Sequence, residues 1–129
     1  MAWRVLYNST TDVAELINEG AVTSKDLFDG VMACYHLGIE KGSLKFLADS
    51  SKREKFKGSI FDYYKVPEMF AKMPEIRRAR IAVLLPTGKC FDAGVRFFET
   101  VCLNRGYLVQ TFTTRHAAEE WLNKLEDKL

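Results

Sequence analysis

The strongest catalytic signal in these 129 residues is Cys90-Phe91-Asp92-Ala93-Gly94-Val95-Arg96, a cysteine and an arginine separated by five residues. That spacing after a strand lets a thiolate attack a phosphate ester while the arginine and the intervening amides hold its oxygens. Three features argue against it. Phe97 rather than Ser or Thr follows Arg96, no His precedes Cys90, and residues 86–90 separate the strand from the loop interior. Asp92 is also placed to cap a helix, which puts Arg96 inside that helix rather than on a phosphate cradle. A cysteine-dependent phosphatase is therefore the third of three readings, and Cys90 is expected to be idle or buried.

Other chemistry-bearing residues point to binding. Asp49-Ser50-Ser51 follows an apolar segment, and strand ends in α/β sheets are where ligands dock. A phosphate on Ser50 or Ser51 would have Lys52 and Arg53 beside it. The plainer reading is a loop whose Asp and Ser side chains bond their own backbone. The stretch 56–73 carries Phe56, Phe61, Tyr63, Tyr64 and Phe70 with Met69 and Met73. Aromatic and methionine side chains between Gly58 and Pro67 fit a cover over an apolar pocket, with Phe61, Tyr63, Tyr64 and Phe70 lining it. Packing on the sheet or on a second copy of the chain is the commoner explanation for such residues.

Several motifs dissolve on inspection. Thr87-Gly88-Lys89 lacks a phosphate loop's other anchors, because Val83 stands where a glycine is needed and Cys90 where a Ser or Thr is needed. It reads as a turn. His36 and His116 fall on different helices without Cys or carboxylates at ligand spacing, whereas zinc needs three or four converging ligands. No metal, cofactor or catalytic set is expected. Lys52, Arg53, Lys55, Lys57, Arg77, Arg78 and Arg80 are interrupted by Glu54 and Glu75, the pattern of a solvated face rather than a nucleic-acid site.

The elements that must position these residues follow from periodicity. Trp3, Val5 and Tyr7 alternate along a first strand, and residues 13–17 form a second, joined by turn chemistry in Asn8-Ser9-Thr10-Thr11-Asp12. Thr23 and Asp26 make a capping box for a helix over about 24–37, ended by Gly38 in a left-handed conformation. Residues 44–48 form a third strand, closed by Asp49-Ser50-Ser51. Ser59-Ile60-Phe61-Asp62 opens a helical region over 59–73, which Pro67 should kink or divide. Residues 81–85 are an unbroken apolar run, the mark of a strand covered on both faces. A helix capped by Asp92 carries Ala93, Phe97, Phe98, Val101 and Cys102 on one stripe and ends at Gly106. A strand over 108–112 follows, then a helix starting near Thr114 with Ala117, Ala118, Trp121, Leu122 and Leu125 inward. This alternation predicts parallel strands with crossover helices beside an opening antiparallel hairpin, in one domain spanning 1–129.

Composition bounds the rest. With 47% hydrophobic residues and 28% charged, the chain can bury a core of its own. A net charge of +2 is too small to imply nucleic acid, an acidic partner or a membrane. The longest apolar run is far below the ~20 residues of a membrane span, and no basic-then-apolar leader is seen. Three cysteines without a close pair suit a reducing, cytoplasmic setting.

The run Arg80-Ile81-Ala82-Val83-Leu84-Leu85, the segment Arg105-Gly106-Tyr107, the strand to Phe112 and the ending Ala117-Ala118-Glu119-Glu120-Trp121-Leu122 resemble the C-terminal half of bacterial STAS/SEC14-like domains, the SpoIIAA-like relatives of anti-sigma-factor antagonists. The order of elements in 1–49 fits the same pattern. The resemblance implies a mixed five-stranded sheet with about four helices, and action by binding proteins or small apolar or anionic ligands. In the antagonist branch a serine after the third strand, in an Asp-Ser-x-Gly setting, is phosphorylated. Asp49-Ser50-Ser51 matches that place, but Lys52 stands where the small residue would be. The expectation is a non-enzymatic regulatory or binding module, homodimeric through apolar helix surface. The alternative is a carrier of a small apolar ligand under 56–73.

Overall fold

The computed structural model describes residues 2–89 and 92–124. The five strands are β1 (Trp3–Asn8), β2 (Val13–Val22), β3 (Lys45–Phe56), β4 (Arg80–Leu84) and β5 (Leu108–Phe112). The four helices are α1 (Ser24–Lys41), α2 (Ile60–Phe70), α3 (Ala93–Asn104) and α4 (Arg115–Asn123). The strands lie in the order β1-β2-β3-β4-β5, the first pair antiparallel and the rest parallel. This is the mixed α/β sheet that the alternation of elements implied.

Because each parallel strand lies beside the one before it, successive right-handed crossovers put α1, α2 and α3 on one face. Cys34, Tyr63, Val66, Phe70, Val95, Phe98 and Cys102 from those helices meet Ala14, Leu16, Phe46, Ile81 and Val83 of the sheet. The chain leaves β5 with no further strand to reach, and α4 folds back over the other face. There Ala118 and Leu122 pack on Val13, Leu47, Ala82 and Leu84. β4, apolar on both sides, is the strand both layers share, as its unbroken run required.

Local signals act where the residues placed them. Thr23 accepts from the Asp26 amide and Asp26 from the Thr23 amide, and Ser59 and Asp62 repeat the box at α2. Each such cap is worth ~1 kcal/mol. Asp92 caps α3 and Thr114 caps α4.

Four boundaries differ from expectation. Helix α1 does not stop at Gly38 but runs to Lys41, and Gly42 takes the left-handed conformation at φ 69°. Gly38 is instead buried inside the helix, where a Cβ would stand 2.5 Å from the Phe46 ring. Strand β2 continues to Val22. Strand β3 is twelve residues long, so Asp49, Ser50, Ser51 and the charged segment after them are strand rather than loop. Finally, α2 is a single helix through Pro67, and a 3-10 turn over Pro74–Arg78 follows it.

Candidate functional site

The length of β3 decides where the sequence-derived site residues go. Alternation sends Leu47 and Asp49 to the α4 face and Phe46, Ala48 and Ser50 to the other. Two register shifts then interrupt pairing with β2, between Ile17/Glu19 and Gly20/Ala21, each adding one residue to β3. Such bulges re-aim the side chains beyond them. Ser50, Arg53 and Phe56, spaced by three, therefore all face the layer of α1, α2 and α3. Asp49-Ser50-Ser51 is thus divided between the two faces.

On the α4 face, Asp49 belongs to a closed polar network. Its Oδ1 accepts from the Ser51 amide at 2.9 Å and the Ser51 hydroxyl at 2.6 Å. Its Oδ2 accepts from Arg115 Nη2 at 2.8 Å. Arg115 also grips Glu15 through both oxygens, at 3.1 and 3.0 Å, and reaches Glu119 at 3.2 Å. Burial works to raise the Asp49 carboxyl, but the Ser51 bonds and Arg115 outweigh it and hold it below the ordinary carboxylate value. Glu15 is 3% exposed in the middle of an apolar strand. A carboxylate there requires a cation, and that requirement was the sequence signal for Arg115.

On the opposite face, β2, β3 and β4 and the three helices line a partly open cavity of about 100 Å³. Its walls are apolar except for Asn18, Ser50 and Arg53, with 5%, 5% and 9% exposure. Arg53 donates from Nη1 to the Tyr63 hydroxyl at 2.7 Å and from Nη2 to Asp92 Oδ2. The same Asp92 carboxylate caps α3, its Oδ1 accepting from the Val95 amide at 3.0 Å. Gly94 lies under the Tyr63 ring, where a Cβ would approach to 2.6 Å, so this junction depends on a glycine. Burial raises the Tyr63 phenol above its ordinary value although Arg53 opposes the shift. Two buried atoms of the cavity lining have no partner: Asn18 Oδ1 and Arg53 Nε. The strand ends above this region are closed by the Thr87-Gly88-Lys89 turn, in which the Thr87 amide and hydroxyl both donate to the Ser51 carbonyl.

Of the aromatic residues read as pocket walls, Tyr63 and Phe70 line the cavity. Phe61, 70% exposed, and Tyr64 do not. Tyr64 turns toward α3, where Arg105 bonds its hydroxyl at 2.8 Å and stacks over its ring. Phe61 stands on the outward face of α2. Further along that helix Lys65, Glu68 and Met69, with Lys72 just beyond its end, border a shallow groove against Met32, Tyr35 and His36 of α1.

The remaining candidates are quickly placed. Cys90 lies outside the described residues. Arg96 is exposed, and its amide donates to the Asp92 carbonyl at 2.8 Å, so the residue belongs to α3. Cys34 and Cys102 are buried, and burial pushes both thiols up to about 12, far from thiolate reactivity. His36 and His116 are exposed. Among the described residues no three His, Cys, Asp or Glu side chains are gathered to share a metal ion. No described helix is long and apolar enough to cross a membrane.

Sequence reasoning missed Asn18 altogether and took Arg53 for a surface cation. Asn18 stands two residues after Leu16 and so shares its inward face, but it lies just past the strand read over 13–17. Arg53 is followed by charged neighbours, and only the bulges turn it inside.

No family model and no curated protein matches this chain. Solved structures do. An uncharacterised DUF3478 protein with a SpoIIAA-like fold from Shewanella loihica PV-4 is 15% identical, with 94% of this chain and 92% of that one aligned at a TM-score of 0.54. The anti-sigma factor antagonist SpoIIAA in its unphosphorylated form is 12% identical over 96% of this chain and 100% of that one, at 0.59. The Bacillus cell fate determinant SpoIIAA in its phosphorylated form is 15% identical over 93% and 99%, at 0.56. Identity this low speaks to architecture, and on that ground the chain has the SpoIIAA-like α/β fold.

Proposed function

We propose that this chain is a non-catalytic regulatory module that works by binding a partner protein along α2 and the groove between α1 and α2. The observation that carries the reading is Phe61, a large aromatic side chain left 70% exposed beside the 42% exposed Ile60, while Tyr63, Val66 and Phe70 of the same helix are buried. Phe61 and Lys65 lie one helical turn apart on α2, Met69 follows half-buried, and Lys72 stands just beyond the helix end. An unpartnered aromatic next to adaptable methionines and flanked by lysines suits a protein segment that presents apolar side chains among acidic ones. A SpoIIAA-like fold, shared with an anti-sigma factor antagonist, supports a role in protein contact.

The test is site-specific photocrosslinking in cells, with p-benzoylphenylalanine in place of Phe61 and, as control, in place of Thr113. A discrete adduct at position 61 alone is expected. The captured protein, purified and titrated against this chain, should lose at least about tenfold in affinity for Phe61→Asp, the cost of one buried aromatic anchor. Identical adducts at both positions, or equal affinity for Phe61→Asp, would refute the docking site. An adduct between two copies of this chain would make the partner a homodimer mate. Turnover of a small substrate abolished by one substitution would overturn the non-catalytic reading.

A further inference from the structure

We propose that the apolar cavity beneath α1 and α2 receives one Leu, Ile or Met side chain of the partner segment that lies in the α1–α2 groove. This rests on the docking reading above and deepens it, because it names the anchor the partner must carry.

The first observation is continuity between the two spaces. Tyr35 is the one described residue that lines both the cavity and the groove. Leu27, Val31 and Tyr35 follow one another at four-residue spacing along α1, all three line the cavity, and all three are partly exposed. Their exposure places the mouth of the cavity along α1, and at Tyr35 that mouth meets the groove. The Tyr35 hydroxyl donates to Glu75 Oε1 in the 3-10 turn beyond α2. A single hydrogen bond is a light restraint on a ring that must turn aside.

The second is size. A cavity of about 150 Å³ admits the six carbons of benzene, so the present one, of about 100 Å³, holds about four non-hydrogen atoms. Leu, Ile and Met side chains are of that size. Phe, Tyr and Trp are too large for it, and Ala leaves most of it empty.

The third is the chemistry of wall and rim. Leu16, Phe46, Val66, Phe70 and Phe98 give the space an apolar wall. The groove outside is bordered by Lys65, Lys72 and His36, with Glu68 the only carboxylate among its described lining. An aliphatic anchor with Asp or Glu beside it satisfies both, the anchor desolvated and the flanking charges at the rim. A free molecule of about four atoms would gain little affinity by itself, whereas a side chain on a docked segment adds to contacts already made. The occupant is therefore part of the partner.

The experiment has two arms. The first uses the wild-type chain alone, titrated with 2-methylpropane, the shape of a leucine side chain, and with toluene, the shape of a phenylalanine side chain. In methyl-resolved NMR, 2-methylpropane should shift the signals of Leu16, Val31, Val66 and Val83 and saturate, and toluene should leave them in place. The second arm selects a phage-displayed library of random peptides on the full chain. Enriched peptides should share one Leu, Ile or Met beside Asp or Glu. They should lose at least about tenfold in affinity both for Phe61→Asp and for Val31→Phe, whose ring takes up the space of the anchor. Should Val31→Phe not fold, Val66→Ile removes one methyl group's worth of space and should move the preference from Leu toward Val. Peptides that weaken on Phe61→Asp but bind Val31→Phe unchanged would leave the docking surface standing and overturn the insertion. Peptides indifferent to both changes, or a library without a binder, would overturn both readings. An absence of methyl shifts with 2-methylpropane, or equal binding of toluene, would overturn the insertion whatever the library yields.

Discussion

On one face of the sheet, Glu15 and Asp49 are buried beneath α4 and Arg115 meets both. On the other face, Asn18 and Arg53 are buried as deeply, and Asn18 Oδ1 and Arg53 Nε meet nothing. The polar groups under α4 hold one another, so they fix where α4 lies. Those under α1, α2 and α3 hold the Tyr63–Arg53–Asp92 junction and leave two atoms unpaired. Buried polarity is thus fully paired on the first face and incompletely paired on the second. The packing agrees: Ala118 and Leu122 fill the α4 side, whereas the other side leaves open space.

The contrast is broken most forcefully at Arg115. Arg115→Met leaves Glu15 and Asp49 as buried, unpaired carboxylates. Urea denaturation should show a loss of about 2–4 kcal/mol, tempered by the 37% exposure of the arginine side chain. Adding Glu15→Leu should restore much of it, because an apolar replacement of a buried pair is often neutral. Next in size comes a pair of equivalent insertions. Ala118→Val, forced into a filled layer, should cost ~1–3 kcal/mol. Val66→Ile extends a methyl group into the cavity and should be neutral or stabilising by up to about 1 kcal/mol. Equal penalties for both would mean that the two faces are packed alike. The smallest effect is acid sensitivity. The Asp49 carboxyl is held below its unfolded value, so its contribution is complete above that value, about 3.9, and fades as pH falls through the folded one. The stability difference between the wild type and Asp49→Asn should therefore shrink on going from about pH 6 to about pH 3 in parallel denaturation curves.

Much of the architecture was legible because it rests on local signals. Capping boxes at Thr23 and Ser59, the caps at Asp92 and Thr114 and the apolar run 81–85 each depend on residues within a few positions of one another. What escaped depends on distant contacts. Gly38 looks like a helix stop until Phe46 is packed against it, and the true stop, Gly42, lies one turn on. The second half of β3 carries no alternation because its bulges change the inward spacing from two to three, so Lys52 to Phe56 read as a charged, solvated stretch rather than as strand. The candidate site suffered most, since its members come from β2, β3, α2 and the start of α3. Tyr63 and Phe70 were legible as inward aromatics, and Asp92 as a cap. That Asp92 also neutralises Arg53, 39 residues earlier, is visible only in three dimensions.

The difference between the faces is tested most directly by the unfolding free energy of Asn18→Leu. If Asn18 Oδ1 is unspent in the free protein, removing it from an apolar enclosure should leave stability unchanged or raise it by about 1 kcal/mol. A loss of about 2 kcal/mol or more would show that Asn18 already has a partner in the fold, and that both faces spend their buried polar groups on structure.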